Sequence, residues 1–587
     1  MDRTIIISDF PEITILSEDV NFEHTLELVA EEGGLKTFRF CMKSIVMASP
    51  SEVSLCWRIP KINMMGVWKC GAIHNKRQQY DWELEHLNSR ISVDAPVISV
   101  FGYDDSNGIT FACSDVMNMV EMNVLLREED NYEYCHFTFF KERHPEITSY
   151  ETLIRIDTRQ IPYYESINEV STWWASFDEY RPAHVPALAI EPLYSTWYNF
   201  HQDLDREKLI SECNVAYKNG YRLIILDDGW QTMDTGRGYD YTGDWKSDRF
   251  PDMAKFVSEI HDTGMKIGVW YSVPFCGKKS DAYQKFKGKF LTESHRWAPV
   301  FDPRYPEVRE YLINTYATAL KDWKIDAFKL DFIDDFKVYP ETVLTKENGR
   351  DFANVNEAVH ELMSGVKDAL TSINPEIAIE FRQKYVGPLM RKFGNMFRAF
   401  DCPNDPVSNR IRTTDIKLLC GNTAVHSDMI IWHKDESVEL AANQLISAIF
   451  SVPQMSVLQT EIPETHTKML AFFTSYWVDN REVLMHGKFE AKNPLGNYPV
   501  LKSALDGHTI IGVYDDMVVH ISDSGSTDVL NGTQSSTLVM KFEALGKYNI
   551  EALDCMGHVA YVQEIDIKTS VMEIDVPISG ILKFIKQ

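Results

Sequence analysis

Between residues 187 and 480 the chain repeats one pattern eight times. A short apolar β run comes first, and an amphipathic helix follows most of the runs. The runs are "ALAIEPLYSTW", "RLIILDDGW", "KIGVWYSVP", "AFKLDF", "EIAIEF", "MFRAFD", "TAVHSD" and "QMSVL". Between them, "DREKLISECNVAYKNG" and "DMAKFVSEIHDTG" end on glycines placed as helix caps. "PEVREYLINTYATALKDW" opens on proline and acid and keeps the i, i+3, i+4 spacing of a one-sided helix. "NVNEAVHELMSGVKDALTSI" and "ESVELAANQLISAIFS" share that spacing. Eight strands alternating with helices over about 290 residues is the count and length of a (β/α)8 barrel. A doubly wound sheet is the alternative, but it needs a glycine-rich phosphate turn after its first strand, and none is present.

The flanks have a different texture. Residues 1–180 read as short β-rich runs broken by Gly, Pro, Asn and acidic turns, among them "TIIIS", "KTFRFCM", "SLCWRIP" and "YCHFTFF", with no long helical period. This predicts an N-terminal β-sandwich. The proline-rich "RPAHVPALAIEP" is the linker out of it. Residues 485–587 return to β texture in "HTIIGVYDD", "STLVMKF" and "ISGILKFI", which predicts a smaller, antiparallel C-terminal β-sandwich. The expected chain is multidomain α/β, with the barrel over 187–480 between two sandwiches.

Composition narrows the partners. With 59 basic against 86 acidic residues the net charge is −27, which argues against a nucleic-acid ligand. No run approaches eighteen apolar residues, so no membrane span is expected. Ten cysteines without a CxxC pair read as free thiols of a reducing compartment. The expected location is therefore cytoplasmic, or periplasmic if a leader has been removed.

In a barrel of this kind chemistry sits at the C-terminal ends of the strands. Those ends carry Trp197, Asp227-Asp228-Gly229-Trp230, Trp270-Tyr271, Lys329 with Asp331, Glu380 with Arg382, Arg398 with Asp401, and His426 with Asp428. The histidines are scattered, without the clustering a metal hydrolase needs, so no metal is expected. No glycine-rich loop follows the last strands to hold a phosphate. Carboxylates, aromatics and a few cations remain, and they suit glycoside cleavage, in which two carboxylates flank the scissile bond. Lys329 shares a strand face with Asp331 and is the expected partner that keeps it ionised, as a nucleophile requires. Partial burial is expected to raise the pKa of Asp401 toward that of a proton donor, with Arg398 pulling the other way. Asp227 and Asp228, with Trp230, suit sugar hydroxyls. As purely structural features, Asp331 is an ion pair, Asp401 a loop cap and the aspartate pair a turn. Asp334 and Asp335 lie past the strand end, where solvent and capping roles are expected.

The segments "STWYNFHQ", "ILDDGWQ", "GDWKSDRFP", "FDPRYPEVREYL", "FKLDFID" and "FRAFDCPNDPVSNRIR" together resemble glycoside hydrolase family 36, the α-galactosidase and raffinose synthase-like family. The resemblance covers roughly 190–480 and implies the same flanking sandwiches. It implies a retaining, cofactor-free exo-hydrolase that releases terminal α-D-galactose from oligosaccharides. Asp331 would be its nucleophile and Asp401 its acid/base. Asp227 and Asp228 would grip galactose hydroxyls, Trp197 and Trp230 would form aromatic walls, and Lys329 would touch the sugar. By analogy with the family, homo-oligomers are expected. Two departures stand out: "EFRQKYVGP" replaces the usual loop after strand five, so that Arg382 and Gln383 line the pocket differently, and the context of Asp401 is an Arg-x-x-Asp form. These leave a galactosyltransferase, or an enzyme for N-acetylgalactosamine or β-L-arabinopyranose, as related readings. A non-catalytic sugar-binding barrel would need only the aromatics and Asp227-Asp228.

Overall fold

The eight apolar runs pair as a single parallel sheet. In the computed structural model, which describes residues 3–5 (as backbone), 12–72, 74–83, 85–522 and 525–587, they are β1 (Leu193–Ser195), β2 (Leu223–Leu226), β3 (Lys266–Ser272), β4 (Ala327–Asp331), β5 (Ala378–Arg382), β6 (Met396–Arg398), β7 (Ala424–His426) and β8 (Gln454–Met455). Neighbours in sequence are neighbours in space, and β8 pairs with β1. Parallel bridges from His426 to Val452 and from Ile430 to Met455 bring the two ends of the sheet together. The expected (β/α)8 barrel is the observed one.

Strand alternation decides what fills it. Side chains at i and i+2 share a face, so Ala327, Lys329 and Asp331 all belong to the interior, as do Ala378, Glu380 and Arg382. The base of the interior is a small apolar cluster: Leu193, Leu223, Ile225, Ala327, Ala378, Met396 and Ala424, closed by Ala189. Gly268 belongs to this layer because a Cβ there would lie 2.7 Å from Ile225 Cδ1 and 2.9 Å from Ala327 Cβ. One step up, Asp227, Lys329, Glu380 and Arg398 make the interior charged on four of the strands. The floor is therefore hydrophobic and the mouth ionic.

Two six-stranded sheets form the N-terminal sandwich and pack on each other through Phe38, Phe40, Trp57, Phe111, Phe137 and Phe139. A seven-stranded and a three-stranded sheet form the C-terminal one, mostly antiparallel with two parallel pairs. Of the "TIIIS" run, residues 6–8 fall outside the described residues. The helix Tyr163–Ala175 corrects the expectation of an all-strand N-terminal region. It buries Tyr163, Ile167, Val170 and Trp174, and aromatic and β-branched residues there hid the helical period. Ala187–Ile190, read as the start of the first barrel strand, is a 3-10 turn under the barrel floor. All ten cysteines are free thiols, eight of them buried. Among the described residues no helix is long and apolar enough to cross a membrane.

One buried carboxylate fastens the three layers. Asp415, on the helix Pro406–Leu419, accepts from Lys76 Nζ at 2.7 Å and Trp68 Nε1 at 2.9 Å in the N-terminal sandwich. It also accepts from Tyr498 Oη at 2.6 Å at the entry to the C-terminal one. Asp415→Ala deprives the buried Lys76 ammonium of this counter-ion. We expect it to cost about 3–5 kcal/mol of stability in denaturant titration. A loss below about 1 kcal/mol would show that the triple contact is dispensable.

Candidate active site

The mouth of the barrel gathers six acids and three cations from five strands and the loops that follow them. Asp331 closes β4 and is buried. Its Oδ1 accepts three hydrogen bonds, from Arg382 Nε at 2.8 Å, Tyr385 Oη at 2.5 Å and the Phe332 amide at 2.7 Å. Its Oδ2 accepts one, from Trp270 Nε1 at 3.0 Å. Burial alone would push this carboxyl up, but the charges of Arg382 and Lys329 and the bonds from Tyr385 and Trp270 outweigh it and hold Asp331 well below the usual carboxylate range.

The expected Lys329–Asp331 pair is corrected. Both side chains point inward, but the Lys329 ammonium reaches back across β3 to Asp227 Oδ2 at 2.6 Å. Arg382 holds Asp331 instead, because β5 is paired directly with β4 and brings a planar guanidinium alongside. Arg382 lies among the rings of Phe332, Tyr385 and Phe400, each 5.2–5.3 Å away. Tyr385 comes from the loop after β5, the segment that departs from the expected pattern.

Asp227 and Asp228 follow β2 and diverge, as adjacent residues must. Asp227 is paired with Lys329, and its amide donates to Thr196 Oγ1. Asp228 accepts from Gln231 Nε2 and Gln202 Nε2, both at 2.6 Å. Burial, with Asp227 beside it, pushes this carboxyl up to about 7. Gly229 makes the arrangement fit: its φ is +118°, and a Cβ there would lie 2.6 Å from Gln202 Cα. The same turn throws Trp230 backwards. The indole is fully enclosed among Trp245, Tyr271 and Trp323, between barrel and helix. It is core packing, which corrects its expected place as a sugar wall. Trp197 stays half-buried at the mouth against His201, and Tyr239 reaches the site from the long loop after β2, its ring near those of Trp270 and Phe332.

Opposite stands Asp401, three residues past the end of β6. Arg398 Nη1 donates to Asp401 Oδ1 at 2.9 Å and to Asp428 Oδ1 at 2.5 Å. The Asp401 side chain is 42% exposed, whereas Asp428 is fully enclosed. Asp428 also accepts from Tyr198 Oη at 2.8 Å and the Cys402 amide at 2.5 Å. It is thus the anchor that orients Arg398 and the Asp401 loop, a role the sequence did not disclose. The expected upward shift of Asp401 is corrected too. Desolvation and the charge of Asp331 do raise it, but the cations Arg398, Arg382 and Lys329 prevail and the net direction is down. Glu380 sits one layer deeper, bonded to Gln454 and 3.7 Å from Arg398. His426 faces the floor, with Nε2 2.7 Å from the Ala189 carbonyl. Asp334 and Asp335 form a half-buried 3-10 turn rather than open solvent structure. The Asp334 carbonyl accepts from Arg90, and Asp335 lies 3.3 Å from His295.

Known proteins resemble this chain in both sequence and fold. The family model for melibiase matches residues 179–383, which include Asp227, Asp228, Asp331 and Arg382 and stop short of Asp401. An α-galactosidase, AgaA, from Geobacillus stearothermophilus is 26% identical over 202 residues, 32% of this chain and 26% of that protein. The bifunctional α-galactosidase/sucrose kinase AgaSK of Mediterraneibacter gnavus is 24% identical over 152 residues, 24% of this chain and 16% of that protein. The matched segment thus spans about a quarter of the one relative and 16% of the other. In three dimensions the likeness runs the whole length. The crystal structure of the family-36 enzyme AgaA superposes with a TM-score of 0.66 at 15% identity, covering 98% of this chain and 81% of that one. The galactosidase domain of AgaSK gives 0.65 at 12% identity, covering 100% and 82%.

Proposed function

We propose that this chain, which belongs with glycoside hydrolase family 36 by its melibiase segment and its three-part fold, is a retaining exo-hydrolase of terminal α-D-galactosides. One observation carries the reading: a buried, ionised Asp331, fixed by four donors, shares the barrel mouth with Asp401 on the Arg398 side. The relatives are named α-galactosidases, and one AgaA structure is a complex with raffinose.

The chemistry follows from the donors. Asp331 Oδ1 is pinned by three bonds, so Oδ2, with only the Trp270 contact, is the attacking oxygen. It forms a bond to the anomeric carbon on the face away from the leaving group. Asp401 gives its proton to the glycosidic oxygen as that bond breaks, and the aglycone departs as an alcohol. Asp401, now a carboxylate, takes a proton from water, which displaces Asp331 and leaves α-galactose. The negative charge of Asp331 raises Asp401, and esterification removes it. Asp401 is therefore the stronger acid in the second half of the cycle, the direction a residue that turns from acid to base requires. Asp227, Asp228 and Lys329 grip the sugar, and Trp197 with Trp270 walls it. Proton NMR of p-nitrophenyl α-galactoside hydrolysis tests the reading. α-Galactose as the first-formed anomer supports retention, and β-galactose first would sink it.

The grip makes its own prediction. Gln202 and Gln231 cannot turn round to suit an amide, because their Oε1 atoms already accept from the Arg237 and Gly229 amides. Asp228→Asn therefore sets a donor against a donor. We expect kcat/KM on an aryl α-galactoside to fall about ten-fold or more, with KM and kcat both affected and the fold intact. Unchanged kinetics would reduce "LDDGW" to a structural turn.

A further inference from the structure

Beside Asp401 the barrel mouth opens into a groove of about 460 Å³. Its floor and walls are Asn199, Ile431, Trp432, Val457, Leu458 and Ile462, from the loops after β1, β7 and β8. Pro403 and Asn404 close the side nearest Asp401. We infer that this groove is the aglycone subsite of the enzyme and that it takes an apolar alkyl or aryl aglycone, which rests on the hydrolase reading above.

Position comes first. The leaving group departs toward the proton donor, and Pro403 is only two residues from Asp401. The groove and the donor also share one anchor. Asp428 binds Arg398, which holds Asp401, and it binds the Cys402 amide and the Tyr198 hydroxyl, each one residue from a lining residue. The Tyr198 amide in turn donates to Ser456 Oγ, the neighbour of Val457. An aglycone leaving toward Asp401 is therefore directed to the Pro403 side of this groove.

Chemistry comes second. The floor is aliphatic carbon and one indole. Trp432 and Val457 are nearly closed off, and Ile431, Leu458 and Ile462 are half-open to the groove. The only donor of the Trp432 ring, Nε1, is already given to His466 Nδ1 at 3.1 Å. The polar groups Asn404, His433, Lys434 and Glu461 stand exposed at the rim, off the floor. The hydroxyls of a sugar aglycone would lose water on this floor without gaining partners. An alkyl or aryl group gains instead, each buried methylene favouring binding by about four-fold. Asn199 is the exception: its amide nitrogen is buried and without a hydrogen-bond partner. It offers one polar contact close to the scissile bond, where every glycoside has its oxygen.

The test is calorimetric titration with octyl and methyl 1-thio-α-D-galactoside, which are not hydrolysed and differ only in the chain. We expect the octyl compound to bind at least ten-fold more tightly. Leu458→Asn and, separately, Ile462→Asn should bring that ratio close to one and leave the methyl Kd unchanged, which also reports an intact sugar site. Equal affinities in the parent protein overturn the inference, as does a gain for raffinose over methyl α-galactoside in place of the octyl gain. A variant that weakens both ligands equally assigns its residue to packing, and if both variants do so the inference falls. If the octyl preference stands while no α-galactoside is turned over, the subsite survives and the hydrolase reading falls. If neither thiogalactoside binds, both fall.

Discussion

Asp331→Gly abolishes turnover of α-galactosides, on the order of 10⁴-fold or more, and added azide restores a β-galactosyl azide product. The expectation follows from how the carboxylate is held. In the folded chain it balances Arg382 and accepts from Tyr385 and the Phe332 amide through Oδ1, while its Oδ2 has a single partner. Removing it opens a space beside the anomeric carbon in which a small anion meets the same guanidinium, the same tyrosine and the same indole. Azide then approaches from the face the carboxylate used, so the product has inverted configuration at the anomeric carbon. Because glycine also leaves Arg382 without its counter-ion, Asp331→Asn serves as the control: it keeps the shape, and circular dichroism should match the parent. Asp334→Gly and Asp335→Gly should retain most activity, since Asp335 faces His295 and Asp334 meets the N-terminal sandwich through Arg90. Substantial turnover by Asp331→Gly, with the loss falling on either neighbour, would overturn the assignment.

The parts of this site that the sequence disclosed are those governed by strand alternation. Period two places Lys329 with Asp331 and Glu380 with Arg382 on one face, and the order of apolar runs gives the order of barrel strands. What alternation does not specify is which charge meets which, because that depends on strand adjacency and side-chain length. Lys329 is long enough to pass its own neighbour and reach Asp227, and Arg382 then fills the place left beside Asp331. Trp230 was misplaced for a local reason: Gly229 takes a positive φ, and the chain after it leaves the barrel mouth. Tyr385 lies in a loop with no periodicity to read, and only the oddity of "EFRQKYVGP" marked it. The helix Tyr163–Ala175 escaped notice because its buried face is made of residues that favour strands. The downward shift of Asp401 was hidden because two of its three cations, Arg382 and Lys329, come from other strands.

That shift sets the second large effect. In the proposed mechanism Asp401 is a proton donor whose surroundings favour its ionised form, so at neutral pH only a minority of molecules carry the proton that a poor leaving group needs. As pH falls toward its lowered pKa that fraction grows, and kcat/KM for methyl α-galactoside should rise with it. Asp331, which Arg382 holds well below the usual carboxylate range, stays ionised through mildly acidic pH. For p-nitrophenyl α-galactoside, whose leaving group departs as a stable phenolate, the acidic rise should be nearly absent. Asp401→Gly separates the two substrates further. It should lose about 10²–10⁴-fold on the methyl glycoside and far less on the formation of the glycosyl-enzyme from the nitrophenyl one. The fold should tolerate the change, since the side chain is 42% exposed and Asp428 still balances Arg398. Azide, which needs no base, should then accelerate release of the galactosyl group as a product of retained configuration. An equal loss on both substrates, or an acidic rise that persists in Asp401→Gly, would assign the proton to another group, and the fully buried Asp428 behind the same arginine is the first to examine.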